Sequence, residues 1–179
     1  MKKTIALVAL LLACSAHAQS QPDQKPPTLR SILLEELKDT HAEKDWFVPA
    51  NVAVAGLTPE QANWKDGKGN HSVGQLAYHL VYWNARNLEK FKGEPLVKFS
   101  GNNDETFDNF DSKKWNETVQ QLDEVMTEWE KAVETADEQK LAEWAPTIAK
   151  ISMHNAYHIG QIIYVRKEQG SWNPANGVN

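Results

Sequence analysis

Trp115, Val119, Leu122, Met126, Trp129 and Val133 recur at alternating intervals of four and three residues. Helical geometry sends side chains at this spacing out of one face, so the stretch from Lys113 to Thr135 predicts an amphipathic helix with an inward apolar stripe. Three further stretches carry the same period. From about Leu29 to Lys44, the face is formed by Leu29, Ile32, Leu33, Leu37 and His41. From Ser72 to Phe91, the opening Ser72-Val73-Gly74-Gln75 has the form of a capping box and Gly93 supplies the stop. The last opens at Pro146 and stops near Gly170, with Ile151, His154, His158, Ile162 and Val165 on one face. No stretch alternates cleanly with period two. The expected fold class is therefore all-α, a four-helix bundle with long inter-helix loops. Residues 48–71 and 94–111 are longer than a simple turn between helices needs and are rich in Gly, Asn, Asp and Pro, so they are expected to cover or border a site. A short helical turn fits between Asp137 and Ala145.

The two ends of the chain read differently from its middle. Lys2 and Lys3, the apolar run Thr4 to Ala13 and the small-x-small site Ala16-His17-Ala18 read as a signal peptide over residues 1–18, cleaved before Gln19. Its removal takes two lysines and no acid, which moves the net charge from -5 to -7, and it takes the single cysteine, Cys14, and His17 as well. Leu11-Leu12-Ala13-Cys14 also resembles a lipobox, so the alternative is a lipoprotein anchored through Cys14. Either way the chain is expected to be exported, to the periplasm or beyond. Residues 19–27 have a flexible-linker composition, residues 28–170 form the domain and residues 171–179 a C-terminal tail. Acidic residues outnumber basic ones 24 to 19 and no Lys/Arg cluster stands out, which disfavours a nucleic-acid partner. The absence of an apolar run of membrane-spanning length disfavours a membrane span.

The residues that carry chemistry are histidines. His154 and His158 lie four apart on the last helix, one turn from each other on the same face, and His79 occupies an inward position between Leu76 and Trp83 on the second. Three neutral imidazoles from two helices could hold a Zn²⁺- or Ni²⁺-like ion and leave a position open. The same placement also suits hydrogen-bonded core histidines. His154-Asn155-Ala156-Tyr157-His158 lacks the glutamate of His-Glu-x-x-His, so a zincin-type protease is disfavoured. His71, at or before the helix start, is expected to face solvent, and His41, on the stripe of the first helix, to play a structural or pocket-lining part.

Gly56-Leu57-Thr58-Pro59-Glu60-Gln61-Ala62-Asn63-Trp64, Ser72 to Leu80 and His154 to Ile162 resemble, in this order, the DinB/YfiT-like superfamily. The resemblance covers roughly residues 28–170. It implies a four-helix bundle, often a homodimer, with a divalent metal held by three histidines, here His79, His154 and His158. It also implies a metal-dependent transferase, in some members thiol-dependent, or a hydrolase acting on a small-molecule substrate. An export signal sits poorly with a thiol co-substrate, since such thiols are chiefly cytosolic. The alternatives are a non-catalytic metal- or ligand-binding module of the envelope and a purely structural bundle.

Around the triad, Trp83 and Tyr157 are candidates to bind substrate at the open face, against a plain core role. Asn155 and Gln161 are candidates to orient a ligand imidazole through its second nitrogen. No carboxylate near the triad is an obvious general base, which leaves Asp45, Glu36 and Glu43 as distant candidates. The acid run from Asp104 to Asp111 reads as a solvated loop.

Overall fold

The computed structural model describes residues 26–177. The signal sequence, Cys14 and nearly all of the linker lie outside the described residues. Within them the chain is helical, without strands. Four helices are long: α1 (Leu29–His41), α4 (Val73–Lys92), α6 (Trp115–Thr135) and α7 (Glu138–Glu168). Three are short: α2 (Ala50–Val54), α3 (Pro59–Asn63) and α5 (Glu105–Asp108). Both α1 and α4 pack against α6 and α7, α2 lies against α7, and α3 and α5 lie against α4.

The apolar stripe of α6 is the centre of this packing. Trp115, Leu122, Trp129 and Val133 are almost wholly buried, while Val119 is partly so. The two indoles also satisfy backbone acceptors, Trp115 Nε1 donating to Leu57 O at 2.9 Å and Trp129 Nε1 to Asn84 O at 3.0 Å. Helix α4 begins as its sequence suggests. Ser72 and Gln75 form the reciprocal capping box, and Gly93, at φ 79°, closes the helix in the left-handed conformation that glycine adopts at little cost.

Helix α1 ends three residues earlier than its period suggests, because the Lys38 carbonyl accepts from both Ala42 N and Glu43 N and closes the last turn. Its first turn is also less buried than expected. Leu29 and Ile32 are exposed, and Arg30 anchors this end instead, donating to Glu134 O at 2.8 Å and Ala136 O at 2.7 Å and pairing with Glu138 Oε1 at 2.6 Å. A guanidinium at the C-terminal carbonyls of α6 fixes the turn into α7.

The start of α7 corrects the sequence reading. The helix begins at Glu138, capped by Asp137, and runs through Pro146. Proline removes the hydrogen bond to the carbonyl of Ala142, but both residues are exposed, so water can satisfy that oxygen and the helix continues. At the other end, Trp172 folds back beside Arg166, whose buried guanidinium lies 5.2 Å from the indole and donates to Ala53 O at 2.6 Å.

The connection 94–111 is tied to the first turn of α4 at two points. Gln75 Nε2 donates to Asp108 Oδ1 at 3.1 Å. Phe110 lies on the first turn of α4 where Gly74 has no side chain; a Cβ there would stand 2.2 Å from the ring. This docking carries α5 over the middle of α4.

Candidate metal centre

His79 projects from the middle of α4, and His154 and His158 from successive turns of α7, where these helices pack together. His154 Nε2 lies 3.1 Å from His79 Nε2 and 3.1 Å from His158 Nε2. Around one ion at a metal–nitrogen distance of 2.0–2.1 Å, neighbouring nitrogens stand about 2.9–3.4 Å apart for angles between a right angle and the tetrahedral one. The two close separations fit that range, and all three ligand atoms lie within 4.8 Å of one another.

The partners of the far nitrogens fix where the protons sit. Thr106 spends its hydroxyl proton on Asn103 O at 2.6 Å, so its oxygen accepts from His79 Nδ1, also at 2.6 Å. Gln161 Oε1 accepts from His158 Nδ1 at 2.6 Å. A neutral imidazole has one N–H, so His79 and His158 both direct Nε2 lone pairs towards His154 Nε2. One proton on that nitrogen cannot lie on both lines at once. A cation held at the convergence point satisfies all three nitrogens, and this donor set suits zinc or nickel.

Electrostatics keeps the imidazoles in their ligating form. Burial, then the neighbouring His158, His154 and His71, pushes His79 down to about 3 from an ordinary 6.5. Burial and His154 push His158 down to about 4 against the opposing pull of its bond to Gln161. Burial lowers His154 as well.

A cavity of about 500 Å³ opens on the triad. Trp83, Phe107 and Ile151 form its apolar wall, with Asn103, Thr147 and Lys150 among its polar lining. Trp83 thus lies in the wall of the cavity that opens on the triad. Tyr157 does not line this cavity: it is 64% exposed and its hydroxyl accepts from Gln161 Nε2 at 3.3 Å, which steadies the partner of His158. Gln161 is hydrogen-bonded to a triad imidazole, whereas Asn155 is not. Buried in the helix interface, Asn155 accepts through Oδ1 from Asn84 Nδ2 at 2.7 Å and cross-links α7 to α4.

The remaining candidates lie elsewhere. Asp45, Glu36 and Glu43 do not line the cavity, and among the described residues no carboxylate does. His41 is structural, with Nδ1 2.6 Å from Glu130 Oε1 and Nε2 2.9 Å from Asp123 Oδ1. His71 is half-buried rather than solvent-facing, because it stacks on Phe107 at 3.9 Å with 5° between the rings. Phe107 stacks equally closely on His79, at 3.9 Å and 8°. Two rings cannot occupy the same face at that spacing, so Phe107 is sandwiched between them and separates His71 from the triad.

Thr106 and Phe107 are the site residues that sequence reasoning missed. They sit inside the acid run, where Asp104, Glu105 and Asp108 are indeed exposed but Thr106 and Phe107 are buried. The available signal was a phenylalanine in the midst of acids, which has reason to be there only if it packs inward.

A family model for the DinB superfamily matches residues 50–162, a span that contains all three histidines. The chain belongs to the DinB superfamily. No curated protein and no solved structure matches it significantly. The DinB match begins at α2 and ends within α7, so it takes in both helices that carry the triad and the connection that bears Thr106 and Phe107. No helix among the described residues is long and apolar enough to cross a membrane.

Proposed function

We propose that this DinB-superfamily chain holds one divalent ion, zinc or nickel, on His79, His154 and His158, within a four-helix bundle made by α1, α4, α6 and α7, and serves as a transferase or hydrolase for a small molecule. The observation that carries the reading is the convergence of two Nε2 lone pairs on a third imidazole nitrogen, each at 3.1 Å. When bound at three neutral nitrogens, such an ion lowers the pKa of a water or thiol in its open position and so provides a nucleophile near neutral pH. The chain's own residues do the rest. Thr106 and Gln161 hold two imidazoles in the ligating tautomer. Trp83, Phe107 and Ile151 keep water from one side of the site, and Lys150 leaves a cation at its edge.

The lack of a carboxylate in the lining supports a second reading, a non-catalytic metal- or ligand-binding module. Turnover of an activated ester, or transfer of a thiol to an alkylating electrophile, by the loaded and not the metal-free protein would favour the enzyme. The metal is tested first. Protein equilibrated with zinc or nickel near pH 7.5 and desalted is expected to retain one ion per chain. Since the lowered pKa values keep the imidazoles neutral below their ordinary 6.5, occupancy is expected to persist through that pH and to be lost as pH falls towards 4. A metal-free protein after loading with both ions would leave the triad as buried core histidines.

Export belongs to the same proposal. The mature chain recovered from its native envelope is expected to begin at Gln19, and its intact mass checks this. A lipidated Cys14 at the terminus would replace the soluble exported form with the anchored one.

A further inference from the structure

We infer that the cavity above the triad takes a small organic monoanion, its carboxylate held by Lys150 and its other end bearing a donor atom at the ion; this rests on the metal reading of the three histidines. The chain carries 24 acidic residues against 19 basic ones, yet among the described residues no acid lines the cavity. Apart from the histidines, Lys150 is the ionisable side chain in that lining, and among the described residues it forms no ion pair. Three neutral imidazoles leave the double positive charge of a bound ion uncancelled. With Lys150 beside it and low-dielectric walls around it, the cavity is a positive well in a negatively charged protein, and it concentrates anions.

The spacing narrows the ligand. Lys150 precedes His154 by four residues on α7, so the two side chains leave one helix face from backbone positions about 6 Å apart along the axis. Ile151, Trp83 and Phe107 supply the apolar surface of this cavity. A short molecule with a carboxylate at one end, a few apolar carbons and a metal-binding atom at the other end matches that sequence of surfaces. One ammonium balances a single negative charge. At the end away from the ion, a phosphate monoester with about -1.5 to -2 at neutral pH favours a guanidinium fork or a second side-chain cation beside Lys150, neither of which lines the cavity.

A matched pair of hydroxamates tests this, because the hydroxamate end takes the ion in both and only the tail differs. The probes are succinic monohydroxamate and its analogue with a carboxamide in place of the carboxylate. Calorimetry on the zinc-loaded protein is expected to show the carboxylate-tailed compound binding about tenfold more tightly, a difference of about 1.4 kcal/mol. Lys150→Ala is expected to erase that preference and Lys150→Arg to retain it, with zinc content unchanged in both. Equal affinities in the parent, or a preference that survives Lys150→Ala, would overturn the inference while the zinc-loaded triad stands. A parent that takes up no zinc would overturn the triad reading and this inference together.

Discussion

In His79→Ala the chain is expected to lose most of its bound zinc or nickel, and in His71→Ala to keep it. The first variant leaves two protein ligands, both on α7, and removes the only contribution of α4. Tight protein zinc sites are worth about 10–16 kcal/mol with their full ligand set, so losing one imidazole should cost several kcal/mol, on the order of 10³-fold in affinity. The second variant removes a ring that Phe107 holds away from His79, and so leaves the donor set untouched. Metal content after desalting, followed by competition with a chelator of known affinity, measures both. Full occupancy in His79→Ala would show that α4 and α7 do not meet at one ion, whatever His154 and His158 do by themselves.

Trp129→Ala is expected to be the most damaging change outside the site. The indole is completely buried, lies 5.4 Å from the Phe91 ring and donates to Asn84 O. Truncation empties a large volume at the α4–α6 contact and removes the indole donor from that carbonyl, at a cost of about 3–5 kcal/mol. For a domain of this size the Tm should fall by about 10–15 °C. Thermal denaturation of the metal-free variant and parent reads this directly, and an unchanged melting curve would remove Trp129 from the core. The loss should reach the cavity as well, since Asn84 both accepts from Trp129 and donates to Asn155 across the helix interface.

How much of this was legible in the sequence follows from the range of each interaction. The stripe of α6 was readable because burial on one face leaves a period in the chain itself. The capping box at Ser72 and the stop at Gly93 were readable because the groups they satisfy are within a few residues. Pro146 misled because the rule applied to it is local, whereas the outcome depended on whether the carbonyl of Ala142 faces water. Leu29 and Ile32 carried the right period but lie on a turn that Arg30 holds by polar contacts. In the site, the three histidines were legible through helical spacing and family resemblance. Thr106 was not, because it meets His79 across 27 residues of sequence, from an irregular connection without a period to betray it. Asn155 was misjudged for the same reason, since its partner Asn84 is 71 residues away.

The contact of Thr106 and Phe107 with His79 divides the labour of the protein in an uneven way. The imidazole is rooted in a helix that the core constrains heavily, but its proton and one of its faces are governed from a connection whose neighbouring residues are exposed. Substitutions in the helix disturb its packing against α6 and α7, whereas those at 103–107 reach the same ring and touch the core only through Thr106 and Phe107. Variation between relatives, or a designer's library, therefore has a cheap place to act: a handful of positions around 103–107 can alter the behaviour of a buried group while the scaffold that holds it stays the same.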